Sequence, residues 1–131
     1  MQQLLATSLA ASLLAAAPLS ADEPPAFMTD TFPGAAVDAA WAEYQAVFDP
    51  EGALDAMTKE LVALAVSAQI PCAYCVHFHR EAARQHGATD EQIKEALASG
   101  AQVRKWSMMI QGHEIDMDDW REGVSEMFAG E

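Results

Sequence analysis

Apolar residues recur at three- and four-residue intervals along most of the chain, which is the spacing of amphipathic helices. The first such stretch runs from Ala35 to Phe48. The second, from about Leu54 to Gln69, is apolar on nearly all sides, so we expect a buried helix there. A third helix is predicted from about Cys72 to Gln85, with Pro71 at its start and Gly87 as its stop signal.

The C-terminal third predicts three further helical segments. Thr89 and Gln92 have the spacing of a capping box, which marks a helix start. Gly100 is expected to separate this helix from a short segment over Val103 to Ile110, and a last, acidic helix begins near Asp118. No stretch alternates polar and apolar residues as a half-buried strand does. The pattern therefore predicts an all-α fold class.

The N-terminal 21 residues, Met1–Ala21, carry no charged side chain. Leucines lie among alanines, Pro18 breaks the run, and Ala21 directly precedes an acidic, proline-rich stretch. This order is typical of a cleaved signal peptide and predicts export, in a bacterium to the periplasm, although no Lys or Arg precedes the apolar core. An uncleaved anchor, or an N-terminal helix of a cytoplasmic protein, is the alternative.

The remaining chain divides by composition into two parts. Residues 22–34 are rich in proline and acidic residues and are predicted to form an extended arm or linker. Residues 35–131 are predicted to form one helical domain. After removal of a signal, a chain of about 110 residues buries only a little over 60% of its unfolded surface by itself. Since the helix around Leu61 to Ala68 is apolar nearly all round, we expect a homo-oligomer.

The charge balance narrows the range of partners. The 131 residues include 20 acidic and 7 basic side chains, for a net charge of −13. Such a surface repels phosphate backbones and anionic membranes, so we expect no nucleic-acid partner.

Candidate chemistry is concentrated between Glu60 and His79. Cys72 and Cys75 form a Cys-x-x-Cys at a helix start, where the helix dipole favours the nucleophilic thiolate. His79 follows Cys75 by one helical turn and is placed to move a proton at that sulfur. Glu60 is a carboxylate in an otherwise apolar helix, where it needs a partner. Two thiols and a Glu/His pair are the groups that peroxide reduction requires.

Other chemistry also fits these residues. The pair could serve general thiol–disulfide exchange, or it could be a structural disulfide, which is favoured in an oxidising compartment but stabilises little across so short a loop. Cys72, Cys75, His77 and His79 could instead hold zinc, but His77 diverges from the helix face of the others. A non-enzymatic scaffold is the remaining alternative.

The same residues carry a resemblance to the alkyl hydroperoxidase D and carboxymuconolactone decarboxylase superfamily. The shared signature is Glu, eleven residues, Cys-x-x-Cys, three residues, His, and the likeness continues from His79 to Leu97. The resemblance implies an all-helical trimer or hexamer with thiol peroxidase (peroxiredoxin, antioxidant) activity that needs no metal or organic cofactor. It further implies that Cys75 attacks the peroxide, that Cys72 resolves the sulfenic acid, and that Glu60 and His79 relay protons.

Two further expectations follow from the resemblance. The disulfide that forms in each cycle must be reduced by an external dithiol. The best-studied members have a second histidine directly before the attacking cysteine, where this chain has Tyr74. Because tyrosine, with a pKa of about 10, is a poor base near neutral pH, we expect lower peroxidase efficiency. Decarboxylation of a muconolactone is disfavoured because the lactone-processing members do not depend on a cysteine pair.

Overall fold

The computed structural model describes residues 23–130, and all regular structure in that range is helical. The helices are α1 (Ala26–Thr31), α2 (Val37–Val47), α3 (Ala56–Gln69), α4 (Ala73–Gln85), α5 (Asp90–Gly112) and α6 (Met117–Phe128). The predicted all-α fold class is confirmed. Within the described range, no helix combines the length and the apolar character needed to cross a membrane. The predicted signal, Met1–Ala21, lies outside the described residues.

The chain separates into two compact units, one up to Tyr44 and one from Gln45 onward, so the division falls inside α2. In the first unit, the prediction of an extended arm over residues 22–34 is wrong for residues 26–31, which form α1. Pro25 caps this helix in extended conformation, and the hydroxyls of Thr29 and Thr31 donate to carbonyls of the same turn. Proline is compatible with a helix start, so proline content alone did not exclude a short helix.

The core of the second unit lies where α3 packs against α4 and α5. Its centre is Leu64, which is fully buried, and the other members come from all three helices and the α4–α5 turn: Ala83, Ala88, Ile93, Met57, Leu61, Val76 and Leu97. Ala83 of α4 is also fully buried and belongs to this core. This packing brings the residues of α3 and α4 that carry the candidate chemistry side by side.

The turn between α4 and α5 forms as predicted. Gly87 has a φ of +89°, and the amides of Gly87 and Ala88 donate to the carbonyls of Arg84 and Ala83. This is the Schellman arrangement, in which glycine takes the left-handed conformation that other residues avoid. The capping box of Thr89 and Gln92 is present with both of its hydrogen bonds.

Gly100 does not divide the helix that follows, and the predicted separate segment over Val103 to Ile110 is part of α5. A Cβ atom at position 100 would lie 3.4 Å from the Cβ atom of Ala65 on α3. Glycine therefore serves here as the point of close approach between the two helices. The intrinsic cost of one glycine in a helix, about 1 kcal/mol, is too small to end a helix that tertiary packing supports.

The prediction that α3 is buried on all sides is also wrong for the single chain. Leu64 and Glu60 are buried, but Val62 and Val66 are each more than half exposed. These two valines lie on the side of α3 that faces away from the core described above.

A carboxylate caps the start of α3. The side chain of Asp55 accepts hydrogen bonds from the backbone amide and the hydroxyl of Thr58, at 2.8 and 2.7 Å. The hydrogen bond from the Thr58 amide, followed by that from its hydroxyl, lowers the pKa of Asp55 below its usual 3.8. The folded chain therefore holds this proton less tightly than the unfolded chain does.

Replacing Asp55 with asparagine should remove part of the acid sensitivity of the fold. Because the folded-state pKa is the lower one, the charged cap contributes fully above pH 3.8, and its contribution is lost as the pH falls through the folded-state pKa. The asparagine side chain would still cap the helix but would not titrate. Urea midpoints between pH 2.5 and 7 should therefore fall less steeply for Asp55→Asn than for wild type. Asp30→Asn, an equal charge change at an exposed position, is the control; equal slopes for Asp55→Asn and wild type would contradict the prediction.

Candidate redox site

Cys72 and Cys75 are joined in a disulfide, with their Cα atoms 5.3 Å apart. Cys75 lies in the first turn of α4, whereas Cys72 is the N-cap residue and lies just outside the helix. The Sγ atom of Cys72 accepts a hydrogen bond from the Cys75 amide at 3.2 Å. The spacing predicts that both cysteines lie on one face of a helix, but Cys72 lies before the helix begins. Instead, Cys72 takes the position of a capping side chain, at which a free amide meets the sulfur.

Glu60 and His79, nineteen residues apart in the chain, form a hydrogen-bonded pair across α3 and α4. The Oε2 atom of Glu60 lies 2.7 Å from the Nδ1 atom of His79, and the two side chains are 3% and 16% exposed. An ionised carboxylate only accepts hydrogen bonds, so with Glu60 ionised Nδ1 carries the proton and donates it. The other ring nitrogen, Nε2, is then left with a lone pair that can accept a proton.

Two aromatic rings hold the His79 imidazole. The Phe48 ring stacks on it at a centroid distance of 5.6 Å, and the Phe78 ring meets it edge-on at 5.1 Å. The imidazole is thus stacked against Phe48, in edge contact with Phe78, and held at Nδ1 by Glu60. A ring fixed in this way presents Nε2 in one orientation, which is what a proton-transfer group requires.

An open cleft of about 410 Å³ lies beside Cys72. Its lining includes Cys72, His77 and Arg80, together with the apolar residues Ala68, Pro71, Ala73 and Val76. The helix spacing predicts that His77 diverges from the cysteines, and it assigns no role to Arg80. A signal was present nonetheless, because Val76 and Arg80 are four residues apart on one face of α4, and Cys72 is the N-cap residue four positions before Val76.

Tyr74 and a possible metal site are the remaining features that the sequence raised. Tyr74, which replaces the second histidine of the resembled family, is 90% exposed and points into solvent. In residues 23–130, no group of three or more histidine, cysteine or acidic side chains is arranged to hold a metal ion.

One protein-family model and two bacterial proteins match this sequence. The model of the carboxymuconolactone decarboxylase family matches residues 35–112, which is more than half of the chain. An uncharacterized protein of the cox locus of Paracoccus denitrificans is 42% identical over 71 residues, covering 54% of this chain and 64% of that protein. An uncharacterized protein of Cupriavidus necator is 43% identical over 68 residues, covering 50% and 60%. The chain therefore spans less than two thirds of the length of either relative.

A solved structure shares the fold. The alkylhydroperoxidase AhpD core from Rhodospirillum rubrum superposes with a TM-score of 0.61 at 35% sequence identity. The superposition covers 65% of this chain and 62% of that one.

Proposed function

The chain belongs to the carboxymuconolactone decarboxylase family, and we propose that it is a thiol-dependent peroxidase that reduces hydrogen peroxide or organic hydroperoxides through Cys72 and Cys75. The observation that carries the proposal is the buried Glu60–His79 pair, in which His79 follows Cys75 of the disulfide by one turn of α4. A structural disulfide has no need of a buried, hydrogen-bonded acid–base pair beside it. The likeness to the alkylhydroperoxidase core from Rhodospirillum rubrum favours the same activity.

In the proposed reaction, the Cys75 thiolate attacks one peroxide oxygen and the O–O bond breaks. The leaving alkoxide or hydroxide takes a proton, which gives an alcohol or water and leaves a sulfenic acid on Cys75. The Cys72 sulfur then attacks the sulfenic sulfur, and the S–O bond breaks with release of water. The product is the Cys72–Cys75 disulfide, which is the state of the described structure.

In this scheme, Glu60 and His79 act as the proton relay. The Nε2 atom of His79 accepts the proton of the attacking thiol and returns it to the leaving oxygen. Glu60 fixes the ring tautomer through Nδ1 and stabilises the imidazolium that forms transiently. The burial of Glu60 strengthens this electrostatic effect, because water screens the charge of the pair less than it would at the surface.

General thiol–disulfide exchange is the second candidate function. The observation in its favour is that Cys72 lines an open cleft, where a dithiol can reach it, while Tyr74 provides no second base beside Cys75. A protein of this kind exchanges rapidly with dithiols and turns over peroxide slowly.

The test of the proposed function is peroxide consumption by the reduced, chelator-treated full-length protein, first without and then with a dithiol. We expect one equivalent of peroxide to be consumed per chain without dithiol, with formation of the disulfide, and continuous turnover when dithiol is present. Protein alkylated on both cysteines is the control. An inert protein whose disulfide still exchanges rapidly with dithiols would identify an exchange factor instead.

Three further properties are proposed for this protein: its oligomeric state, its cellular location and its electron donor. We propose a homo-oligomer, a trimer or hexamer as the resemblance implies, because large apolar side chains on α3, α5 and α6 are more than half exposed in the single chain: Val62, Val66, Val103, Trp106, Met108, Met127 and Phe128. Light scattering on the purified protein tests the assembly. We further propose export, on the basis of the predicted signal Met1–Ala21. In an oxidising compartment the cysteines would remain a disulfide, so we also propose that an external dithiol reduces them.

A further inference from the structure

We propose that the cleft beside Cys72 is the entry site for the reductant and that it selects thiols that carry a carboxylate. This inference rests on the proposed function only in requiring that the Cys72–Cys75 disulfide be an oxidised state that is reduced again. In this reduction the Cys72 sulfur is attacked, the attacking thiol carries a carboxylate, and Arg80 binds that carboxylate.

The shape of the cleft favours a small molecule. Its volume of about 410 Å³ falls in the range of ligand clefts. Four of its lining residues are apolar, and one wall is formed by Cys72, which is half of the disulfide. Cys75, the proposed peroxide-attacking residue, is not among the lining residues. A ligand in this cleft therefore meets the disulfide from the side of Cys72.

The charge of the cleft favours an anion. The Nε atom of Arg80 is buried and has no hydrogen-bond partner among the described residues. His77 lines the same cleft, and none of the lining residues is acidic. None of the ion pairs within residues 23–130 involves Arg80, whose side chain is partly buried. Guanidinium is the side chain that matches a carboxylate best, through two parallel hydrogen bonds.

Binding of the reductant's carboxylate at Arg80 would bring the thiol of the same reductant close to Cys72. Cys72 is the N-cap residue of α4, Arg80 lies about two helical turns further along the chain, and both line the cleft. A thiol whose carboxylate is bound at Arg80 is held in the cleft that Cys72 lines, so binding raises its effective concentration at the Cys72 sulfur.

The proposed reduction balances as two exchanges. The incoming thiolate attacks the Sγ atom of Cys72, the Cys72–Cys75 bond breaks, and its electron pair leaves on Cys75 as a thiolate. A second thiol, from the same dithiol or from another molecule, then attacks the reductant sulfur of the mixed disulfide. This step releases Cys72 as a thiolate and leaves the reductant as a disulfide. Two thiols are oxidised, and the two protein thiols are restored with the two protons that the reductant gives up.

The test compares two thiols that differ in charge, 3-mercaptopropionate and 3-mercaptopropanamide, acting on the oxidised protein in the absence of peroxide. Alkylation of the released thiols followed by mass spectrometry gives the rate, which is expressed per concentration of thiolate. We expect wild type to react about tenfold faster with the carboxylate, the size of effect that a charge-assisted interaction gives in a partly exposed site. The preference should shrink as salt is added, since salt screens the attraction.

Three variants assign the preference to Arg80. We expect Arg80→Gln to react equally with both thiols and Arg80→Lys to keep part of the preference. Arg104→Gln makes the same change in net charge at an exposed position outside the cleft and should behave as wild type. The ratio of the two rates within one variant cancels differences in the redox properties of the disulfide. Comparing that ratio between variant and wild type cancels the intrinsic difference in reactivity between the two thiols. Thermal unfolding of each variant checks that it is folded.

Several results would overturn the inference: no carboxylate preference in wild type, a preference that salt leaves unchanged, or a preference that survives in Arg80→Gln. Capture of the first mixed disulfide on Cys75 rather than Cys72 would overturn it as well. The salt series and the mixed disulfide are measured on wild type, so they decide the matter even if Arg80→Gln fails to fold. Oxidation of the reduced protein by peroxide is measured in a separate assay. A protein that does not react with peroxide but prefers the carboxylate thiol would contradict only the peroxidase proposal, and the reverse result would contradict only the thiol preference.

Discussion

Replacing Cys75 with serine is expected to reduce peroxide consumption to the rate of buffer alone, whereas Cys72→Ser should still consume one equivalent. A serine hydroxyl is almost fully protonated at neutral pH and does not displace an alkoxide from a peroxide, so loss of the attacking sulfur removes the chemistry. Loss of the resolving sulfur leaves the first step intact. The sulfenic acid on Cys75 then persists, because no second thiol lies next to it.

The measurement is peroxide loss after mixing with reduced protein, together with the mass of the protein after trapping of sulfenic acid by dimedone. Each cysteine variant is the matched control for the other, since both lose the disulfide and one thiol. The reverse result, in which Cys72→Ser is inert and Cys75→Ser forms the sulfenic acid, would exchange the two roles. The geometry provides a reason to test this, because the Cys72 sulfur is the one that receives an amide hydrogen bond at the helix N-terminus.

Replacing Glu60 with glutamine is expected to slow the reaction of the reduced protein with peroxide by about 10²- to 10³-fold, within the range that one proton-transfer group contributes. Glutamine matches glutamate in size and can still hydrogen-bond to His79, so the packing around position 60 should be retained. It carries no charge, however, and cannot stabilise the imidazolium. Because the carboxylate is 3% exposed and its Oε2 atom lies 2.7 Å from Nδ1, water does not substitute for it readily.

Stopped-flow measurement of the peroxide reaction between pH 5 and 9 checks this prediction. Glu95→Gln, the same substitution at an exposed position on α5, is the control and should react as wild type does. His79→Asn should show a loss of similar size, and the double variant should be little slower than either single one, because the two residues act as one unit. A Glu60→Gln protein that is folded and reacts at the wild-type rate would remove Glu60 from the relay and leave it a structural role. Fully additive losses would show instead that the two side chains act independently.

The differences between expectation and structure arise where tertiary packing overrides a local signal. Gly100 is a helix breaker by propensity, but its close approach to Ala65 makes it an interior residue of α5. Residues 26–31 differ for a local reason, since proline is compatible with a helix start and does not exclude a short helix. The apolar character of α3 predicts burial of the whole helix, yet the described chain covers only the side that carries Glu60 and Leu64. Whether a residue is buried depends on what packs against it, and periodicity along one chain does not contain that information.

Local signals by themselves determined the all-helical class, the capping box at Thr89 and the glycine turn at Gly87, and they predicted the four residues of the candidate redox site. Each of these depends on neighbours within about one helical turn or on a fixed spacing. Only the tertiary structure decided that Glu60 and His79 form a hydrogen-bonded pair, since they lie on different helices that the core around Leu64 brings together. It likewise decided that the Nε atom of Arg80 has no partner among the described residues in the cleft beside Cys72, because the absence of a carboxylate there depends on how distant segments pack.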